Sequence, residues 1–189
     1  KQCEGHCVLG KKGRPVRIGK LESFIAQFDS DMQLTHERIP EKTRGKVAVI
    51  GSGPAGLTVA GDLARQGFHV TIFEGQPEAG GVLMYGIPEY RLPKAVVRNE
   101  IKKIEDLGVH FVRNCLVGTP ESGVTVDSLF AQGFDAIFMG TGTALPQNLS
   151  IPGADLRRVT QSTDFLHNVN AYVEGALPME MVPLRKGDK

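Results

Sequence analysis

The chain has 189 residues, a formal charge of +1 and 41% apolar residues, which suits one folded domain with an appendage. It carries no Lys/Arg-rich block of the kind that tracks a phosphate backbone, which argues against nucleic acid, and no apolar run long enough to span a bilayer. Three cysteines do not make a disulfide framework, and no signal-peptide pattern opens the chain, so a cytoplasmic location is expected.

Residues 1–20 are rich in Gly and Lys and hold Cys3, His6 and Cys7. In 21–29 (LESFIAQFD), Leu21, Phe24, Ile25 and Phe28 fall at i, i+3, i+4 and i+7, which predicts a short helix with one apolar stripe. Residues 31–45 are polar, contain Pro40 and end in Gly45, and read as a linker. The pattern then changes. The run 46–50 (KVAVI), bounded by glycine, predicts a buried parallel strand. A helix is predicted over 53–66 and a second strand over 69–74 (HVTIFE), completing a β-α-β unit of about 30 residues.

Residues 75–93 are rich in Gly and Pro, yet Leu83, Met84, Tyr85, Ile87 and Tyr90 are more apolar surface than a flexible linker carries. A helix is predicted over 94–107, with Val97, Ile101, Ile104 and Leu107 facing inward. A third strand is predicted over 109–113, with 115–117 extending the sheet, and one or two helical turns over 126–132. A fourth strand over 136–139 (AIFM) ends in Gly140, Thr141 and Gly142. Further on, 163–169 predicts a helix with Phe165 and Leu166 buried, and 178–189 ends in charge. The expected fold class is α/β with a parallel sheet. His36, His69, His110 and His167 sit in linker, strand or helix patterns and read as structural.

The strongest motif is Gly51-Ser52-Gly53-Pro54-Ala55-Gly56, directly after a strand and opening a helix. Gly51 permits a tight turn, Gly53 lets the backbone meet a pyrophosphate, and Gly56 lets helix and strand pack closely. The helix N-terminus offers free N–H groups to the phosphates. An acid, Glu74, closes the second strand 18 residues past Gly56, where it can accept hydrogen bonds from ribose hydroxyls. The fingerprint alone does not separate FAD from NAD(P). Two downstream features favour FAD. The run 78–88 (EAGGVLMYGIP) combines glycines, which let main chain lie against a planar ring system, with apolar side chains to cover it. The strand ending in Gly140, Thr141 and Gly142 puts bare backbone at the sheet edge where ligands of open α/β sheets bind.

The segments GSGPAGL, GGVLMYGIPEYRLPK, FDAIFMGTG and IPG resemble the small subunit of glutamate synthase and its relatives. Those relatives include NAD(P)H-linked ferredoxin oxidoreductase subunits and the N-terminal half of dihydropyrimidine dehydrogenase. The resemblance implies a Rossmann-like FAD-binding domain over 46–189, preceded by the remnant of an α-helical iron–sulfur domain over 1–30. It implies FAD contacts from 53–56, Glu74, the backbone of Gly81 and Val82, Arg91, and the backbone near Val117. For Arg91, a guanidinium near a diphosphate or flavin carbonyl adds fixed positive charge; the alternative is a surface arginine.

The stretch 3–10 (CEGHCVLG) with 15–22 (PVRIGKLE) resembles the iron–sulfur domain of the same family. The resemblance implies that Cys3 and Glu22 serve one [4Fe–4S] cluster and Cys7 another, with the remaining ligands upstream of this sequence. A cluster needs four ligands, so the chain completes neither. As it stands, Cys3 and Cys7 read as a pair of exposed thiols. Zinc held by Cys3, His6 and Cys7 is a lesser option, since structural zinc normally takes four ligands. Cys115 follows a strand pattern and reads as a core thiol.

The resemblance also implies an NAD(P)H-binding unit after 178–189, so the chain is expected to hold most of the FAD cradle without the hydride donor's site. In the parent a nicotinamide would give a hydride to flavin N5, and electrons would leave through the clusters to a large subunit or ferredoxin-type acceptor. No general acid or base is called for, and no catalytic residue is assigned. Two other readings stand beside this one: a plain NAD(P)-binding Rossmann dehydrogenase, and a scaffold that uses the fold to dock a partner without binding a dinucleotide.

Overall fold

The computed structural model describes residues 2–32, 34, 38–119, 121, 123–143, 145–147, 149–156 and 159–182. The chain divides into two compact units, Lys1–Arg38 and Ile39–Lys189.

The first unit holds α1 (Gln2–Gly5), a 3-10 turn at Val8–Lys11 and α2 (Ile18–Met32). The stripe read in the sequence lies on α2, but the helix is longer than 21–29 at both ends. Ser30 and Asp31 are polar, which does not stop an exposed helix; no Gly or Pro interrupts the chain until Pro40. Gln27 Nε2 donates to Asp31 Oδ1 at 2.7 Å across the last turn. Leu21, Phe24, Ile25 and Phe28 are all exposed, and the rings of Phe24 and Phe28 stack 6.1 Å apart.

The second unit begins with a strap. Lys42 Nζ donates to the carbonyl of Ala64 at 2.7 Å, and the amides of Thr43 and Arg44 donate to that of Gly67. The chain then enters β1 (Lys46–Ile50), α3 (Pro54–Arg65), β2 (His69–Phe73), the short α4 (Val82–Tyr85), α5 (Lys94–Asp106) and β3 (His110–Val112). It continues through α6 (Val126–Ala131), β4 (Ala136–Met139), α7 (Ser162–Val173) and a 3-10 turn at Met179–Met181. The four strands form one parallel sheet in the order β3-β2-β1-β4.

Alternation along β1 sorts the core. Val49 joins Leu57, Ala60, Ile72, Met84, Val97 and Ile101 on one face of the sheet. Ala48 and Ile50 point the other way, to Phe73, Cys115 and Leu129. Both faces are covered, as a parallel sheet requires. The α/β, Rossmann-like architecture expected from the sequence is therefore the one observed.

Differences from the sequence reading are local. Residues 115–117 are not a strand: Asn114 has φ +55°, which breaks the extended conformation, and the pairing continues through the Cys115 amide, to the Glu74 carbonyl at 2.8 Å. The last helix runs four residues past 169, and its fully buried residues are Asn170 and Ala171, while Phe165 and Leu166 are half-buried. Cys115 is a core thiol, as expected. His69 and His110 are exposed on their strands, and His167 stacks on Tyr85 with ring centroids 4.9 Å apart. His36 and the charged tail 183–189 lie outside the described residues. Among the described residues no helix is long and apolar enough to cross a membrane.

Candidate dinucleotide site

Because all four strands are parallel, their C-terminal ends share one edge. The chain steps from β1 through β2 to β3 in one direction, then places β4 on the other side of β1. This is a topological switch point, and the crevice between the ends of β1 and β4 is where such sheets take ligands. The fingerprint turn at 51–56, Glu74 and 140–142 all follow strands at that edge.

Each glycine of the turn has a different constraint. Gly51 sits at φ +94°, and a Cβ there would lie 2.5 Å from the Gly140 carbonyl oxygen. At Gly56 a Cβ would enter the carbonyl oxygen of Gly51 and lie 3.2 Å from Val49 Cγ1. Gly53 is the opposite case. Its φ of −66° and ψ of −179° suit any residue, and a Cβ would meet nothing within 4 Å. Protein packing therefore does not require glycine at 53, while a ligand pressed against the main chain would. Pro54 opens α3 at a position where a missing N–H is harmless, and the first-turn amides that follow have no intrahelical acceptor. The turn is thus a small cradle of donors at the positive end of a helix.

Glu74 is buried at 7% exposure and held at this turn. Its Oε2 accepts from the amide of Ser52 at 2.9 Å and from the Ser52 hydroxyl, and its Oε1 accepts from the Gln76 amide at 2.8 Å. The carboxylate therefore faces the fingerprint turn, and Oε1, with one donor, retains acceptor capacity for a ribose hydroxyl. Ser52, fully buried, also accepts from the Gly80 amide at 2.9 Å. One hydroxyl thus ties together the turn, the acid and the glycine pair that follows. The sequence reading missed Ser52, because a small polar residue between two glycines carries no pattern.

The Gly80 and Gly81 pair lies against the turn: a Cβ at Gly81 would be 2.9 Å from Gly53 Cα. Val82 is exposed at 56% and opens α4. Late chain braces this helix. Asn170 Nδ2 donates to the Tyr85 carbonyl at 2.8 Å, and Arg98 pairs with both Glu174 and Glu78. Tyr85 accepts from the Glu78 amide at 3.1 Å, and burial pushes its phenol above the usual value. Asn170 was also missed, since its asparagine gave no sign of burial. Arg91 is exposed, with its amide bonded to the Pro88 carbonyl. Val117 packs its side chain among Phe73, Cys115 and Leu129, while the preceding backbone is stitched to the site by Cys115 to Glu74 and Asn114 to Gln76. Thr141 and Gly142 are exposed beside the turn.

The N-terminal thiols are set apart from this site in sequence and differ from the core thiol. Main-chain hydrogen bonds from Val16, Leu9 and Gly10 stabilise the thiolate of Cys7 and lower its pKa, whereas burial raises that of Cys115. Among the described residues no group of three or more His, Cys, Asp or Glu is placed to hold a metal ion. Cys7 is expected to react with iodoacetamide at pH 8 about 100-fold faster than Cys115, and the two to converge in guanidinium, as read by peptide mass mapping. Equal rates in the folded chain would contradict the two environments. A cavity of about 620 Å³ belongs to the first unit, lined by Glu4, Arg14, Pro15, Arg17 and Lys20. Another of about 350 Å³ sits at the strand starts, by Lys46, His69 and Thr71, at the end of the sheet away from the glycine turn.

The chain is similar to several known proteins. The sequence profile of the pyridine nucleotide-disulphide oxidoreductase family matches residues 45–182. The glutamate synthase [NADPH] small chain of Bacillus subtilis is 39% identical over 165 residues, covering 87% of this chain and 33% of that one. The NAD-dependent dihydropyrimidine dehydrogenase subunit PreT of Salmonella typhimurium is 38% identical over 146 residues, covering 77% and 35%. Among solved structures, FprA from Mycobacterium tuberculosis in complex with NADPH superposes with a TM-score of 0.59 at 26% identity, over 71% of this chain and 31% of that one. The chain thus spans about a third of the length of these relatives.

Proposed function

The chain belongs to the pyridine nucleotide-disulphide oxidoreductase family, and from that footing we propose that residues from 46 onward are the FAD-binding portion of an NAD(P)H-dependent oxidoreductase of the glutamate synthase small-subunit type. One observation carries the reading. Gly53 faces open space at an amide-lined turn, while the Glu74 carboxylate is fixed to that same turn. This is the arrangement a diphosphate and its ribose need. When bound, FAD would supply hydride and electron transfer between a nicotinamide and an acceptor. The chain's residues would bind and orient it: the main chain at 53–56, with the amides of Gly53, Ala55 and Gly56, on the diphosphate, Glu74 on the ribose, and Gly81, Val82, Arg91, the backbone near Val117 and residues 140–142 around the remainder.

In the longer protein, Cys3, Cys7 and Glu22 are proposed to contribute to [4Fe–4S] clusters, and a large subunit or ferredoxin-type protein to accept the electrons. Two thiols and a carboxylate are fewer ligands than a cluster takes, so no electron-transfer step rests on them within this chain.

Titration of the chain with FAD, followed by flavin fluorescence and visible absorbance, tests the reading. Saturable FAD binding with a perturbed flavin spectrum is expected. Preference for NADH or NADPH over FAD would favour the plain dehydrogenase, and binding of none of them the scaffold. Glu74→Gln is expected to weaken FAD about 10- to 100-fold, since hydrogen bonds to a charged group contribute roughly 1.5–3 kcal/mol. Unchanged affinity in that variant would remove Glu74 from the site.

A further inference from the structure

Lys94 is the largest fully buried side chain of the described residues, at 2% exposure. Lysine is almost never buried so deeply without a paired acid. Here the three protons of the ammonium meet three main-chain carbonyls: Leu83 at 3.0 Å, Ile87, and Leu92 at 3.5 Å. Its own amide donates to Glu89 Oε2 at 2.9 Å. Lys94 is also the first residue of α5, where the helix dipole disfavours a cation. Burial lowers its pKa, with Glu89 opposing. Two unfavourable settings are accepted at one position, and what the side chain gains is the conformation of 83–92.

That segment is the outer half of the proposed site. It follows directly on Gly80, Gly81 and Val82, where the chain is docked on the fingerprint turn, and it carries Arg91. Among the described residues, the Lys94 ammonium is the one side-chain group that joins the carbonyls of Leu83, Ile87 and Leu92. The adenine-side half is built separately, from the 51–56 turn, Ser52 and Glu74.

We propose that Lys94 is a positioning residue for the flavin side of the site: its ammonium gathers the carbonyls of Leu83, Ile87 and Leu92 and so sets the Gly81, Val82 and Arg91 backbone against the ring system. The proposal rests on the FAD reading above. It separates two affinities that a general loss of stability would lower together.

The test compares FAD with ADP, which carries only the adenine-side half, on the full 189-residue chain. Lys94→Met keeps the length of the side chain and removes its charge and donors. FAD is expected to bind at least about 30-fold more weakly, ADP within about 3-fold of the unaltered chain, and Lys94→Arg to recover most of the loss. Equal weakening of both ligands, or unchanged FAD affinity, overturns the proposal. Should Lys94→Met not fold, Lys94→Gln is read by the same ratio, and failure of both to fold makes Lys94 a residue of the general core and overturns it too. An unaltered chain that takes ADP but not FAD would instead overturn the FAD reading, before any variant is compared.

Discussion

Gly53→Val is expected to abolish FAD binding, by about 100-fold or more, in a chain that folds almost as well as the original. The two halves of that result have separate causes. Valine fits the backbone: φ of −66° and ψ of −179° lie in the extended region, the region also favoured by a residue preceding proline. The new side chain meets no protein atom within 4 Å at its Cβ. Replacing glycine at a helix N-cap by an apolar residue costs about 1 kcal/mol at most. The isopropyl group instead occupies the space above the first-turn amides, where the diphosphate is proposed to lie. Urea unfolding and FAD titration of the same preparation check both halves. A variant that binds FAD normally would place the phosphates elsewhere. One that unfolds would mean that the open space is not open.

Gly56→Ala is expected to do the reverse, destabilising the fold by about 3 kcal/mol and losing FAD as a secondary effect. The added methyl enters the carbonyl oxygen of Gly51 and presses on Val49 Cγ1. The oxygen belongs to main chain, and Gly51 is itself wedged against Gly140, so the turn cannot retreat. α3 must lift from β1, which opens the core around Val49, Leu57 and Ala60. A lowered urea midpoint with an unchanged m-value is the expected observation. Full stability in this variant would mean that helix and strand are less closely packed than described. Two glycines three positions apart thus differ in kind, one kept empty for a ligand and one closed by the protein.

Much of this was legible in the sequence. β1 and β4 match the predicted runs residue for residue, because short apolar segments bounded by glycine have few other readings. The fingerprint gave the turn, and Glu74 followed from its place at the end of β2. What escaped were polar residues acting inside the fold. Ser52, Lys94 and Asn170 are each buried and hydrogen-bonded to main chain distant in sequence or across a loop. Composition and periodicity treat such residues as surface, and only the tertiary acceptor distinguishes them. α4 was hidden for a related reason: four residues are too few for a helical period, so Met84 and Tyr85 read as apolar without a direction.

The bracing of α4 by Asn170, and of α5 by Glu174 through Arg98, bears on the order in which the molecule is made. Residues 46–74, with the fingerprint turn and the acid, lie close together in sequence. Tyr85 must wait for a partner 85 positions later. On the ribosome, a nascent chain whose emerged portion ends just past β4 would therefore hold the proposed diphosphate turn and its acid beside an unfastened α4. On the proposed reading, FAD captured at that stage would be held by its adenosine end first, and its ring would settle only once α7 had cleared the exit tunnel.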